Sequence, residues 1–224
     1  MQDWWTYSLS DFLLFSPRAY YRMLQRYNEA LWPAQLLTLG LGLGTLALLW
    51  RRSARQDRIV AGVVALMWIW VAGGFLWQRY ATINWAMRYV APAFLLQALL
   101  LILVLQPGAS FRISRTGAGI VGGSLFLLAL GFFPLLAPIL GRPFSQAEVF
   151  GLFPDPTAVG TLGLLLLLDR PAPWWSLTVP VLWCFLSGAT LWAMGQPDAL
   201  IAPGAAVVAL VTRSKASVIE GGRA

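Results

Sequence analysis

Apolar positions in this chain fall in long runs, without strict alternation or a one-sided helical stripe. Seven runs can be read: Pro33–Trp50, Ile59–Trp77, Tyr89–Leu105, Gly119–Leu140, Pro156–Leu168, Pro180–Met194 and Ala199–Val211. Helices that are apolar on every side belong in lipid. The pattern predicts an all-α polytopic transmembrane helix bundle of six or seven membrane stretches. Two stretches, 156–168 and 199–211, are short. Thirteen residues make a helix of about 20 Å, against a hydrocarbon core of about 30 Å. The last is also interrupted by Pro203-Gly204.

Residues 1–32 follow a different pattern. Ser16-Pro17 is a good helix start, with Ser as cap and Pro at the first helical position. Tyr20, Leu24, Tyr27 and Leu31 then share one face, and Arg18, Arg22, Gln25 and Glu29 the other. This predicts an N-terminal amphipathic interfacial helix, aromatic side down and basic side in the headgroups. The alternative is docking onto the protein's own spans. Trp32-Pro33 ends the helix and turns the chain. The chain therefore divides into an interfacial segment 1–32, an integral membrane domain 33–211 and a basic tail 212–224, expected to be disordered.

Composition agrees with lipid as the solvent. Of 224 residues, 58% are hydrophobic and 11% charged, where soluble domains carry about 25% charged. The net charge is +7, but the cations lie between the apolar runs. They read as topology signals and lipid headgroup contacts. No basic face or aromatic stacking module points to nucleic acid. If all seven stretches cross, six cations flank the N-terminal side and ten the other. The positive-inside rule then puts the C-terminus in the cytoplasm, in an inner (cell) membrane. If the last stretch fails to cross, the count becomes nine against seven. Met1–Trp5 shows no basic region leading into an apolar core, so no cleavable signal peptide is expected.

Absent residue types narrow the chemistry. There is no histidine, which removes His-ligated haem, His-containing zinc sites and His general bases. One cysteine, Cys184, allows no intrachain disulfide or CxxC pair. It reads as a small buried hydrophobe. No cofactor is expected. Gly117-Ala-Gly119-Ile-Val-Gly122 matches GxGxxG, but no strand precedes it and no acid follows about 20 residues on. These glycines, with Gly160, Gly163 and Gly188, read as helix-packing positions. Gly40-x-x-x-Gly44 reads as a close helix contact.

Ser145–Arg170 gathers Glu148, Asp155 and Asp169 around the first short run. Ser145 and Glu148 have capping-box spacing, and Gly151 can end the short helix it would open. Asp155-Pro156 repeats the start logic. Asp198 reads as another cap. Against these ordinary roles stands a second reading. Glu148, Asp155 and Asp198 all fall on the N-terminal side and are hard oxygen ligands for an ion. Short, broken membrane helices put helix ends inside a protein, where polar groups hold ions or solutes. Gln97, Asn84, Arg88, Thr157 and Thr161 are the polar side chains available to line such a cavity. The competing account is a tilted short helix in a thinned bilayer, with polar side chains joining helices.

Four segments, Phe15–Gln35, Ile83–Leu101, Phe150–Leu168 and Val179–Trp192, resemble an uncharacterised family of bacterial multi-pass membrane proteins, catalogued as domain of unknown function 6064. The first and third are the most specific. Proteins the third resembles carry a Cys between its two prolines, where this chain has Asp155. The resemblance implies an integral membrane protein and brings no established activity or catalytic residues.

Three function classes follow. The first is a small permease-like or solute/ion-binding membrane protein built around Asp155. The second is a non-catalytic accessory or scaffold subunit of a larger complex, meeting membrane lipids, protein partners or its own copies. The third is an enzyme on lipid substrates, which lacks a catalytic constellation here, so no enzymatic activity is expected. A transport site requires a water-reachable cavity bounded by Asp155, Thr157 and Gln97, and a scaffold requires a solid bundle.

Overall fold

The computed structural model describes residues 14–50, 53–105 and 109–221, with side chains to 216. Residues 1–13, Arg51, Arg52 and Arg223, which enter the segment boundaries and the charge count above, lie outside the described residues. All seven apolar runs are helical, and no β-strand occurs among the described residues.

Helix α1 (Pro17–Leu31) opens as its sequence dictates, with Ser16 accepting from the Ala19 N–H and Pro17 at the first position. Its face of Tyr20, Tyr21, Met23, Leu24, Tyr27 and Asn28 is buried, and Arg18, Arg22 and Arg26 are exposed. That face meets the protein itself. Asn28 Nδ2 donates to the carbonyls of Ser145 and Ala147 at 2.9 and 2.8 Å. After Trp32-Pro33 the chain turns by 85° into α2 (Ala34–Leu48).

Helix α3 (Ala54–Trp70) continues through a π-helical stretch, Val71–Trp77, and α4 (Met87–Leu103) packs beside both. Helix α5 (Gly117–Leu127) passes through a second π-helical stretch, Leu128–Phe132, into α6 (Phe133–Ile139). Next come α7 (Pro154–Leu166), α8 (Trp174–Ala193) and α9 (Ile201–Gly221). The basic segment 212–221, expected as a disordered tail, continues α9, because no helix breaker follows Gly204 before Gly221.

By length and composition, three described helices can cross a membrane: Ala54–Thr82, Gly117–Ile139 and Trp174–Ala193. The bent α1–α2 pair brings this to four, and α4 is apolar but shorter. Helix α8 shows the pattern expected of a lipid-facing helix. Leu182, Phe185 and Leu186 are exposed, while Trp183, Cys184 and Ser187 face inward. Apolar outside and polar inside is the arrangement lipid selects.

Helix α7 is the centre of the molecule. All thirteen of its residues are buried, against α5, α8, α9 and the second π-helical stretch. Glycines permit the closest approach. A Cβ at Gly163 would stand 2.6 Å from the Gly122 carbonyl oxygen, and one at Gly122 would stand 2.7 Å from that of Gly163. The GxGxxG match is therefore part of a helix crossing. Gly40 and Gly44 instead face open space, and Gly42 between them meets Leu130 and Phe150. The contact on α2 uses the opposite side of the helix from the one its spacing suggested.

At the far end of α7, Phe111 and Leu168 form an isolated antiparallel bridge. The Asp57 carboxylate accepts from the Ser110 hydroxyl and the Phe111 N–H at 2.9 and 3.1 Å. Both ends of the short helix thus terminate on protein.

Candidate functional site

The site lies at the N-terminal end of α7. The segment Pro154-Asp155-Pro156 contains two prolines, and either could occupy a first turn. The helix uses the earlier one: Phe153 is the cap residue, Pro154 follows, and Asp155 lies inside the first turn. Asp155 is therefore not a cap. Its side chain reaches α8, where Trp183 Nε1 donates to Oδ1 at 2.7 Å and the Ser187 hydroxyl donates to Oδ2 at 2.6 Å. Trp183 and Ser187 are four apart, so they share one face of α8. A carboxylate at a helix N-terminus is also favoured by the helix dipole.

The expected capping box is absent. Residues 144–146 form one 3₁₀ turn, and Ala147 is extended at φ −71°, ψ 144°. Asn28 holds the Ser145 and Ala147 carbonyls and so takes this segment out of a helical path. Glu148 is freed from any capping role and turned inward. Gly151 makes the turn into α7 at φ 83°, where a left-handed backbone favours glycine. Its N–H donates to Thr157 Oγ1 at 2.9 Å, and that hydroxyl donates to the Phe153 carbonyl at 2.6 Å.

Glu148, Asp155 and Asp198 line one small cavity together with Arg142 and Gln146, walled by Phe133, Leu136, Ala137, Leu191, Ile201 and Ala202. Its volume is about 20 Å³, room for one water-sized occupant. Arg142 pairs with Asp198 at 2.6 Å and lies over the Tyr21 ring at 4.2 Å. Three buried side-chain atoms without a hydrogen-bond partner belong to this lining: Arg142 Nε, Glu148 Oε2 and Asp198 Oδ1. Such atoms are rare in folded proteins; the others among the described residues are the scattered amide oxygens of Gln35, Gln56 and Gln97, and the three on charged groups share this cavity.

The charges do not balance. Three carboxyls meet one guanidinium, which Asp198 engages. Asp155 accepts on both oxygens, as a carboxylate does. Glu148 has a buried, unpartnered oxygen. Burial pushes its pKa well above the usual carboxylate range, and repulsion from Asp155 and Asp198 adds to this, while Arg142 opposes it. Glu148 is thus the group best placed to hold a proton. Among the described residues no three acids are grouped closely enough to hold a metal ion.

The other polar side chains singled out in the sequence are elsewhere. Thr161 is fully buried, donating to the Thr157 carbonyl and accepting from Trp68 Nε1 at 2.8 Å. Gln97 is fully buried against α8, donating to the Ser176 carbonyl at 3.0 Å. Asn84 accepts from the Ala86 N–H in its own turn, and Arg88 is exposed. Neither these residues nor Thr157 line the acid cavity. The expected cavity from Asp155 through Thr157 to Gln97 is replaced by packed side chains bonded to backbone or to Trp68.

Sequence reasoning missed Arg142, Trp183 and Ser187 as parts of the site. The available signal was Ser187, a polar residue inside an apolar run, one helical turn from Trp183.

The profile of a family of unknown function, DUF6064, matches residues 18–221, and the chain belongs to that family. Neither the curated proteins nor the solved structures include a match to the chain.

Proposed function

We propose that this chain is a multi-pass inner-membrane protein that binds a proton at Glu148, in the cavity shared with Asp155, Asp198 and Arg142. This is the ion-binding form of the first function class. The observation that carries it is the trio of unpartnered charged-group atoms around a cavity the size of one water. Intramembrane ionisable groups are expensive and are kept chiefly where they work. Asp155 has both oxygens hydrogen-bonded by Trp183 and Ser187, whereas Glu148 has a buried oxygen with no partner. Binding, rather than permeation, fits the packed interior around Thr157, Thr161 and Gln97. The same packing favours a second reading, an accessory or scaffold subunit with protein or lipid partners. In both readings the charge count puts the C-terminus in the cytoplasm if all seven stretches cross.

Potentiometric titration of the purified full chain against Glu148→Gln separates the two. The proton-binding reading expects the wild type to take up about one more proton per chain than the variant as pH falls from the alkaline range, above the raised pKa of Glu148, to the ordinary carboxyl range. Identical titrations of two folded proteins would remove the proposal and leave the scaffold reading.

A further inference from the structure

The opposite end of α7 carries a second cavity, which plays no part in the acid site. It is open and measures about 500 Å³, within the range of small-ligand sites. Its walls come from the start of α5, the end of α7 and the last turns of α9. Four cations line it: Arg112, Arg170, Arg213 and Lys215. The single acid is Asp169, whose Oδ1 already accepts from the Ser110 N–H at 3.1 Å. Among the described residues none of the four cations forms an ion pair.

Two features argue for a ligand rather than a solvated charged face. Arg213 is fixed in place: its Nε donates to the Ala172 carbonyl at 2.9 Å and its guanidinium lies 4.0 Å over the Trp174 ring. Its terminal nitrogens remain available. The floor of the cavity is apolar, formed by Val121, Leu165, Leu166 and Leu168. Trp174, the exposed ring under Arg213, is of the residue type that marks the headgroup level of a bilayer. Cations above apolar walls at that level match an anionic headgroup with its acyl chain. Arginine forks suit phosphate oxygens.

We propose that this basic cavity binds the phosphate group of an anionic membrane amphiphile, held by Arg112, Arg170, Arg213 and Lys215 with its chain on the Val121–Leu165 wall. A free phosphate would share the polar half of this chemistry, so the test has arms for both.

The full chain in mild detergent is titrated with short-chain phosphatidylglycerol, with the matched phosphatidylcholine and with inorganic phosphate, reading bound adducts by native mass spectrometry. Phosphatidylglycerol should bind at least about tenfold tighter than phosphatidylcholine, consistent with roughly a fivefold step per favourable cation. The double variant Arg112→Gln/Arg170→Gln should lose at least about tenfold in that affinity, with thermal unfolding in the absence of lipid unchanged. If that variant fails to fold, Lys215→Gln, on an exposed position, carries the same test with a smaller loss. Equal affinity of inorganic phosphate and phosphatidylglycerol would keep the phosphate site and assign it to a soluble ligand. Equal binding of the two lipids, or full affinity in the folded variants, would overturn it.

Discussion

The two ends of α7 are opposites. At its start, three carboxyls and one arginine enclose about 20 Å³; at its end, four cations and one acid surround about 500 Å³. Each end carries the charge sign that the helix dipole favours there. They differ in size as much as in charge. The acid end lies beside the loop that Asn28 of α1 holds in place, and its cavity has room for an occupant about the size of a water. The basic end is larger and admits a headgroup. One fully buried helix thus separates a site suited to a proton from a site suited to an amphiphile.

The largest effect is expected from breaking the acid end. Arg142→Met leaves Asp198 buried without its ion pair and removes the one cation from the acid cavity. Breaking a buried pair by removing one partner costs about 3–5 kcal/mol. Thermal unfolding in detergent should show the loss, and adding Asp198→Asn should restore much of it. If Arg142→Met unfolds like wild type, the acid cavity is not a buried electrostatic unit.

Next comes the helix that separates the two ends. Gly163→Leu drives a side chain into the Gly122 carbonyl and α5 backbone. Overpacking of this kind costs about 1–3 kcal/mol. Both ends should respond together, in proton uptake and in lipid affinity. Loss at one end alone would show that α7 does not join them.

The smallest effect sharpens the comparison. The raised pKa of Glu148 makes its contribution depend on pH. At low pH both folded and unfolded chains carry the proton, and no penalty exists. As pH rises through the ordinary carboxyl pKa, the unfolded chain ionises first, so stability falls until the folded pKa is passed. Glu148→Gln has no such loss. Its melting temperature should match wild type near pH 4 and exceed it increasingly toward neutral pH. A gain independent of pH would argue that Glu148 stays ionised in the fold.

Much of the architecture was legible in the chain. Ser16-Pro17 marked the start of α1, and the seven apolar runs located every later helix, although α3 and α8 begin five and six residues before their runs and α9 extends ten residues past its own. A long apolar run is a coarse signal that survives without knowledge of partners, so composition alone carries far. The importance of Ser145–Arg170 was also readable, from its short run and its acids. What those acids do was not. Local capping rules predict a box at Ser145–Glu148 and a cap at Asp155, and tertiary contacts overrode both. Asn28, more than a hundred residues away, takes the loop carbonyls, and Trp183 and Ser187 take Asp155. Partners at such separations leave no spacing to read. The same holds for Gln97 and Thr161: their polarity suggested a cavity, but Trp68 and the Thr157 carbonyl take up the Thr161 hydroxyl, and the Gln97 amide nitrogen bonds the Ser176 carbonyl while its oxygen stays buried without a partner.

The central claim is that Glu148 holds a proton inside the fold at neutral pH. Infrared difference spectroscopy of the full chain, titrated in a lipid disc, measures this directly through the carbonyl stretch of a protonated carboxyl. The account predicts such a band near neutral pH, bleaching at higher pH and missing from folded Glu148→Gln. A wild-type spectrum without that band, or an unchanged band in Glu148→Gln, would contradict it.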